Sequence, residues 1–327
     1  MAVLNFVEAV RETLRQEMRR DRDVWVVGED VGKKGGVFGA TLGLFDEFGG
    51  ERVQDSPLTE SAIVGVGIGA ALYGTKPVCE IQFADFIFPA FNQIISEAAK
   101  MRYRSNSAWT VPMVIRAPFG GGVHGGLYHS QSVEQYFTNT AGLKVVVPST
   151  PYDVKGLLAA AVRDPDPVLF FEHKGLYRAI KAEVPDEEYV IPIGKADVKR
   201  DGSDITVITY GKTVHFCLEA AAQLEKEGYS ALVLDLRTLL PLDREAIVAA
   251  ARKTGKVLIV HEAGKTHGIG AEVSAIIAEE CLFDLDAPVQ RLCGPDVPAM
   301  PYAGPMEKFF MLSPEKCLEA MRNLARF

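Results

Sequence analysis

An α/β protein with mostly parallel sheets, flanked by helices and divided into two domains, is what this sequence predicts. Three observations carry that expectation. Short β-rich runs alternate with helical patterns along the 327 residues, the arrangement of parallel sheets covered by helices. The runs form two series, separated by a polar, proline-bearing stretch. Hydrophobic residues make up 48% and charged residues 24%, an ordinary balance for a globular chain long enough to build two cores.

The first series places strands at Val24–Val27, Pro77–Phe83, Pro112–Arg116, Lys144–Val147 and Val168–Glu172. Helical patterns at Phe6–Arg19, Pro89–Tyr103 and Tyr152–Val162 lie among them. The second series has strands at Ile205–Tyr210, Ala231–Leu236, Lys256–His261 and Val289–Leu292. Its helices are expected at Val214–Lys226, Arg244–Lys253 and Glu272–Glu280. Between the series, Glu183-Val184-Pro185-Asp186-Glu187-Glu188 and Asp201-Gly202-Ser203-Asp204 read as linker. Residues 1–185, 186–203 and 204–327 are therefore expected to be the first domain, the linker and the second domain.

Bulk properties exclude several classes of function. A net charge of −8, with no Lys/Arg run longer than a pair such as Arg19-Arg20, argues against a nucleic-acid surface. The longest apolar stretch, Ala62 to Tyr73, is too short to span a bilayer. Met1 to Glu8 has no secretory signature. Five scattered cysteines without a CxxC pair suit reduced thiols. A soluble cytoplasmic chain is expected.

The most informative segment runs from Asp55 through Glu60 to Gly65. Thr59 is placed to cap a helix, and from Ala62 to Gly74 there is no charge. A helix apolar on every side is expected to be buried. Glu60 then enters the interior with Asp55 behind it and no Lys or Arg before Lys76. A carboxylate so placed tends to be neutral, paired or employed, although an acid in a first turn also simply favours the macrodipole. A second constellation, Arg116 through Ser132, has five glycines within seven residues, so its backbone can approach a ligand closely. His124 and His129 lie in it, suited to proton transfer or to hydrogen bonding within their own loop. A third, Cys79 through Phe91, puts Gln82 and Phe86 just past a strand, where open α/β sheets place ligands.

Two patterns look like nucleotide sites and are set aside. Gly65 to Ala70 fits G-x-G-x-x-A, with Asp85 suitably downstream, but a helix has already begun at Thr59. An NAD-binding dehydrogenase is thus the more distant alternative. Gly264-Lys265-Thr266 resembles the tail of a P-loop, yet Ile259 stands where the first glycine is needed.

Taken together, the segments resemble the β-subunit of the thiamine-diphosphate-dependent 2-oxo acid dehydrogenases. The resemblance rests on Gly28-Glu29-Asp30-Val31, Asp55 through Glu60, Glu80 through Phe91, His129-Ser130-Gln131, Pro148 through Asp153 and Leu234 through Thr238, and covers essentially the whole chain. Gln82 through Pro89 and His124 through Ser132 are most similar to the bacterial branched-chain type, with a pyruvate or acetoin dehydrogenase as the alternative. The resemblance implies a pyrimidine-binding domain, a transketolase-like C-terminal domain and an α2β2 assembly. It implies that an α-subunit holds Mg²⁺ and the diphosphate, because this chain has neither Gly-Asp-Gly nor Asn-Asn. Glu60 would hydrogen-bond N1′ of the aminopyrimidine, and His129 would move a proton as a lipoyl group on the transacylase core is acylated. Glu29, Leu58, Gln82 and Phe86 would surround the pyrimidine; many relatives have tyrosine where Phe86 stands. Ala161, Asp164 and Asp166 resemble a monovalent-cation loop that binds K⁺ largely through carbonyls.

Overall fold

The structure, a computed structural model, describes residues 1–327. Two compact units divide the chain: Met1–Phe119 with Tyr136–Ile193, and Gly120–Gln135 with Gly194–Phe327.

The first unit contains β1 (Ala2–Asn5), α1 (Phe6–Arg20), β2 (Val24–Gly28), α2 (Leu44–Phe48), β3 (Val53–Asp55), α3 (Glu60–Leu72), β4 (Lys76–Glu80), α4 (Met101–Arg104), β5 (Val114–Phe119), β6 (Lys144–Val146), α5 (Pro151–Arg163), β7 (Val168–His173) and β8 (Lys181–Val184). Asn5 starts α1 with a reciprocal cap: its side chain accepts from the Glu8 N–H while the Glu8 carboxylate accepts from its own N–H. Phe6, Val10 and Leu14 of α1 then pack with Leu157 and Leu158 of α5 over Val26, Val114 and Phe170 of the sheet. The central strands lie in the order β6-β7-β5-β4-β2-β3, and every pair among them is parallel. β1 and β8 form a separate antiparallel ribbon.

The second unit contains β9 (Asp197–Arg200), β10 (Ile205–Thr209), α6 (Thr213–Glu225), β11 (Ala231–Asp235), β12 (Thr238–Leu240), α7 (Arg244–Thr254), β13 (Val257–Gly264), α8 (Ile269–Cys281), β14 (Gln290–Gly294), α9 (Gly304–Phe310) and α10 (Pro314–Ala325). Its sheet runs β14-β13-β10-β11-β9, parallel except for β9. Val207, Val233 and Val260 form its core with Cys217 and Leu224 of α6 and Met321 and Leu324 of α10.

Each sheet has a point where the connections diverge. From β2 the chain goes to β3 on one side, whereas from the adjacent β4 it goes to β5 on the other. In the second sheet the same holds for β10, which leads to β11, and β13, which leads to β14. The crevice outside the carboxyl ends of such strand pairs is where open α/β sheets bind ligands.

Three local expectations are corrected. Pro89–Tyr103 is not one helix but a 3₁₀ turn at Phe88–Ala90, a π turn at Gln93–Ala98 and the short α4; Pro89 tightens the entry and the π turn widens the middle. Thr59 makes no side-chain cap for α3. Nor is α3 buried all round, because Ala62, Val66 and Gly69 lie on an exposed side. Uniform apolarity conceals which face packs, and here Ile63, Val64, Gly67, Ile68 and Ala71 are the apolar and glycine positions buried, with Glu60 at the start of the helix.

Candidate functional site

The carboxyl ends of β3, β2 and β4 stand level, with Gly28 opposite both Asp55 and Glu80. Asp55 turns to the loop after β2, where its Oδ1 accepts the Gly32 N–H at 2.7 Å. A Cβ on Gly32 would lie 2.5 Å from Asp55 Oδ2, so this close approach requires glycine. Glu60 opens α3 and is 8% exposed. The Thr59 carbonyl, not its hydroxyl, receives the first helical N–H groups from Ala62 and Ile63.

Glu29 follows β2 and is half-buried. Burial raises its pKa, and the negative charge of Glu60 raises it further. The two carboxyls are thus electrostatically coupled at the divergence of β2 and β4. Gln82 and Phe86, also half-buried, follow β4. Phe86 meets Phe83 edge-on with centroids 5.8 Å apart, and Phe83 meets Phe38 at 5.4 Å. Leu58 stands 74% exposed. Glu29 and Glu60 are therefore brought together, with Gln82 and Phe86 on the adjacent strand end.

Behind this edge lies a buried ion cluster that reasoning from the sequence missed. Arg116 on β5 is fully buried and donates to Glu172 through Nε at 2.6 Å and Nη2 at 2.8 Å, and to Glu80 through Nη1 at 2.6 Å. Tyr177 adds a hydrogen bond to Glu172 at 2.7 Å. Burial opposes the Arg116 charge, but Glu172 and Glu80 more than offset it and its pKa rises. Burial raises Glu80 despite Arg116. The available signal was a lone charge inside the apolar runs Val114–Phe119 and Val168–His173; a charge is retained there only when paired.

The glycine-rich loop packs within the second unit. Gly120, Gly122 and Gly126 have φ of +87°, +76° and +66°, and His124 has +57°. His124 is held by Glu307 of α9, which contacts its Nδ1 at 3.0 Å and its backbone N–H at 3.2 Å. His129 is half-buried on the same loop. Glu262 near the end of β13 accepts the Gly121 N–H at 2.6 Å and the Ser132 hydroxyl at 3.0 Å. Glu134, wholly buried, accepts the Tyr210 hydroxyl at 2.7 Å. Burial pushes the Glu134 carboxyl up to about 7. Neither Glu134 nor Glu262 was singled out from the sequence, because their partners lie 76 to 141 residues away.

At the proposed cation loop, Asp164 accepts from Lys144 at 2.6 Å and Asp166 from Arg102 at 2.6 Å. Both carboxylates are thus neutralised by the protein's own cations, leaving backbone carbonyls as donors. The Ala161 carbonyl accepts the Asp164 N–H at 3.3 Å. The nucleotide-like patterns take other roles. Gly65 to Ala70 lies inside α3 instead of opening a helix after a strand. Thr266, just past β13, is tied to Asp296 through both its N–H and its hydroxyl.

Residues 3–180 match the family described as transketolase, pyrimidine binding domain, and residues 194–317 match transketolase, C-terminal domain. The chain is 67% identical over 327 residues, all of both chains, to the 2-oxoisovalerate dehydrogenase subunit beta of Bacillus subtilis. It is 48% identical, again over the whole of both, to that organism's pyruvate dehydrogenase E1 component subunit beta. A pyruvate dehydrogenase E1 component subunit beta of Staphylococcus aureus is 48% identical over 296 residues, 90% of this chain and 91% of that one. Among solved structures, a split gene transketolase, described as an inactive beta4 tetramer, superposes with a TM-score of 0.81. At 23% identity over 99% of this chain and 98% of that one, it shows the two-domain fold. The chain belongs to the β-subunit family of the thiamine-diphosphate-dependent 2-oxo acid dehydrogenases.

Proposed function

We propose that this chain is the β-subunit of a branched-chain 2-oxo acid dehydrogenase, working with an α-subunit in an α2β2 assembly in the cytoplasm. The observation that carries the substrate class is full-length identity of 67% to a 2-oxoisovalerate subunit against 48% to a pyruvate subunit. The residues at the β2/β4 divergence fit the pyrimidine half of thiamine diphosphate: a nearly buried acid, a second acid coupled to it, an amide and an aromatic ring. When bound, the cofactor supplies the nucleophilic carbon and the electron sink for loss of CO₂.

Glu60 holds a proton against the pyrimidine N1′, and its near-burial strengthens that hydrogen bond. Glu29 stands beside it, the pKa of its own carboxyl raised by burial and by the charge of Glu60. Gln82 orients the ring, Phe86 packs on it without offering a hydroxyl, and Leu58 covers it from the surface. His129 moves a proton at the lipoyl sulfur of the transacylase core during acyl transfer. The diphosphate and its Mg²⁺ are assigned to the α-subunit. A K⁺ at Ala161, Asp164 and Asp166 would be held by carbonyl oxygens alone, since Lys144 and Arg102 already occupy the two carboxylates.

The test is co-expression with the cognate α-subunit, followed by thiamine-diphosphate-dependent decarboxylation of 3-methyl-2-oxobutanoate and pyruvate side by side. Higher kcat/KM for the branched acid is expected. A preference for pyruvate would move the chain to the second reading, and turnover by the chain alone would overturn the half-site assignment.

A further inference from the structure

In the second sheet, the β10/β13 divergence holds a second pair of buried acids, Glu262 and Glu134. One acid there binds the loop that carries His129, and a second fastens the chain just past it. Glu262, 5% exposed, takes the Gly121 N–H at 2.6 Å and the Ser132 hydroxyl at 3.0 Å, so one carboxylate oxygen joins the two ends of the loop. The backbones meet there too, with the Gly120 N–H donating to the Gln131 carbonyl at 2.9 Å. The seat is tight: a Cβ on Gly121 would lie 2.5 Å from Met300 Cε and 2.8 Å from Met311 Sδ. Just beyond the loop, Glu134 is fastened to Tyr210, which follows β10 and stacks on His261, the residue before Glu262. The loop is thus tied to both strands of the divergence. Its middle, with Gly122 and Gly126 at positive φ, has little stiffness of its own.

We propose that Glu262 is a positioning residue for acyl transfer, closing the Gly120–Ser132 loop so that His129 is presented in one place. An ionised carboxylate suits the task, because charge-assisted hydrogen bonds to N–H and O–H donors are shorter and stronger than neutral ones. A single oxygen accepting both donors holds the separation of the loop ends fixed. Displacing a proton-transfer group by an ångström is enough to cost about a hundred-fold in rate. The proposal rests on the role given above to His129, and its test separates the two.

The experiment compares Glu262→Ala, Glu262→Gln, Ser132→Ala and His129→Ala in the assembled complex, with two readouts. One is acylation of a lipoyl-bearing domain against decarboxylation followed with an artificial electron acceptor. The other is amide hydrogen exchange of residues 120–132. Glu262→Ala should speed exchange across the loop and reduce acyl transfer about ten-fold or more beyond any loss in decarboxylation. Glu262→Gln, whose amide oxygen still accepts both donors, should recover most of the difference, and Ser132→Ala should fall between. Unchanged exchange, or equal losses in both reactions, overturns the proposal. If Glu262→Ala does not fold, Glu262→Gln and Ser132→Ala decide: wild-type exchange and acyl transfer in both would refute it. If His129→Ala acylates normally, the role of His129 falls, while loop exchange in the Glu262 variants still decides whether Glu262 holds the loop.

Discussion

Replacing Glu134 by glutamine should flatten the pH dependence of stability in the C-terminal unit. Glu134 is wholly buried, with Oε1 bonded to Tyr210 and Oε2 without a partner. Burial raises its carboxyl from 4.5 to about 7; the hydrogen bonds from Tyr210 and the backbone act in the opposite direction, and the charge of Glu262 adds to the rise. Below pH 4.5 the folded and unfolded chains are both protonated there, so no stability is lost. Between 4.5 and about 7 the unfolded chain releases the proton while the folded one retains it, and stability falls with rising pH. At 1.36 kcal/mol per unit the loss is complete above pH 7 and amounts to about 3 kcal/mol. Glutamine still accepts from Tyr210 but has no charge to bury. The assay is amide exchange of β10 and β13 at pH 5 and pH 8, corrected for intrinsic rates, which reads the opening free energy directly. The wild-type chain should lose about 2.5 kcal/mol more than Glu134→Gln across that interval, since part of the loss falls below pH 5. Profiles parallel within about 1 kcal/mol would refute the reasoning.

Three further outcomes are expected. Glu60→Gln should reduce decarboxylation by the complex at least about a hundred-fold, the scale of a lost acid–base group, while the α-subunit still co-purifies; turnover near wild type would remove Glu60 from the site. Arg116→Met leaves Glu80 and Glu172 buried without their cation and should cost about 3–5 kcal/mol in urea unfolding. That cost should shrink at low pH as Glu80, whose carboxyl pKa burial already raises, protonates, and a pH-independent cost would contradict the electrostatic account. Gly67→Ala would place a Cβ 2.5 Å from Cys79 Sγ and 3.0 Å from Met113 Cε, and should destabilise by about 1–3 kcal/mol; a neutral result in thermal melts would show that α3 can shift on β4.

What the sequence disclosed follows the range of the interactions involved. Val24–Val27 and Val168–Glu172 were legible as strands because apolar runs bounded by turns are local signals. The three-residue β3 was not, since its identity comes from pairing with β2. Glu60 stood out because no neighbouring charge explained it, and the structure does place it nearly buried at the start of α3. The Arg116 cluster stayed hidden because its partners lie 36 and 56 residues away, visible locally only as an odd charge in a strand. The π turn at Gln93–Ala98 was not legible because a single widened turn shifts the apolar pattern by only one residue, within the scatter of a short amphipathic segment. The anchoring of the His129 loop needed the topology: Glu262 lies on a strand formed some 130 residues later.

The two sides of α3 obey different rules of substitution. Gly67 is fixed by the strand beneath it, whereas a methyl group at Gly65 or Gly69 would meet no atom of this chain within 4 Å. Alanine at those two positions should strengthen the isolated helix by up to about 1 kcal/mol each. A stability screen run on the single subunit would therefore promote both changes as improvements. Any harm they did would emerge only in the assembled enzyme, so engineering that optimises the parts separately risks selecting well-folded subunits that no longer fit together.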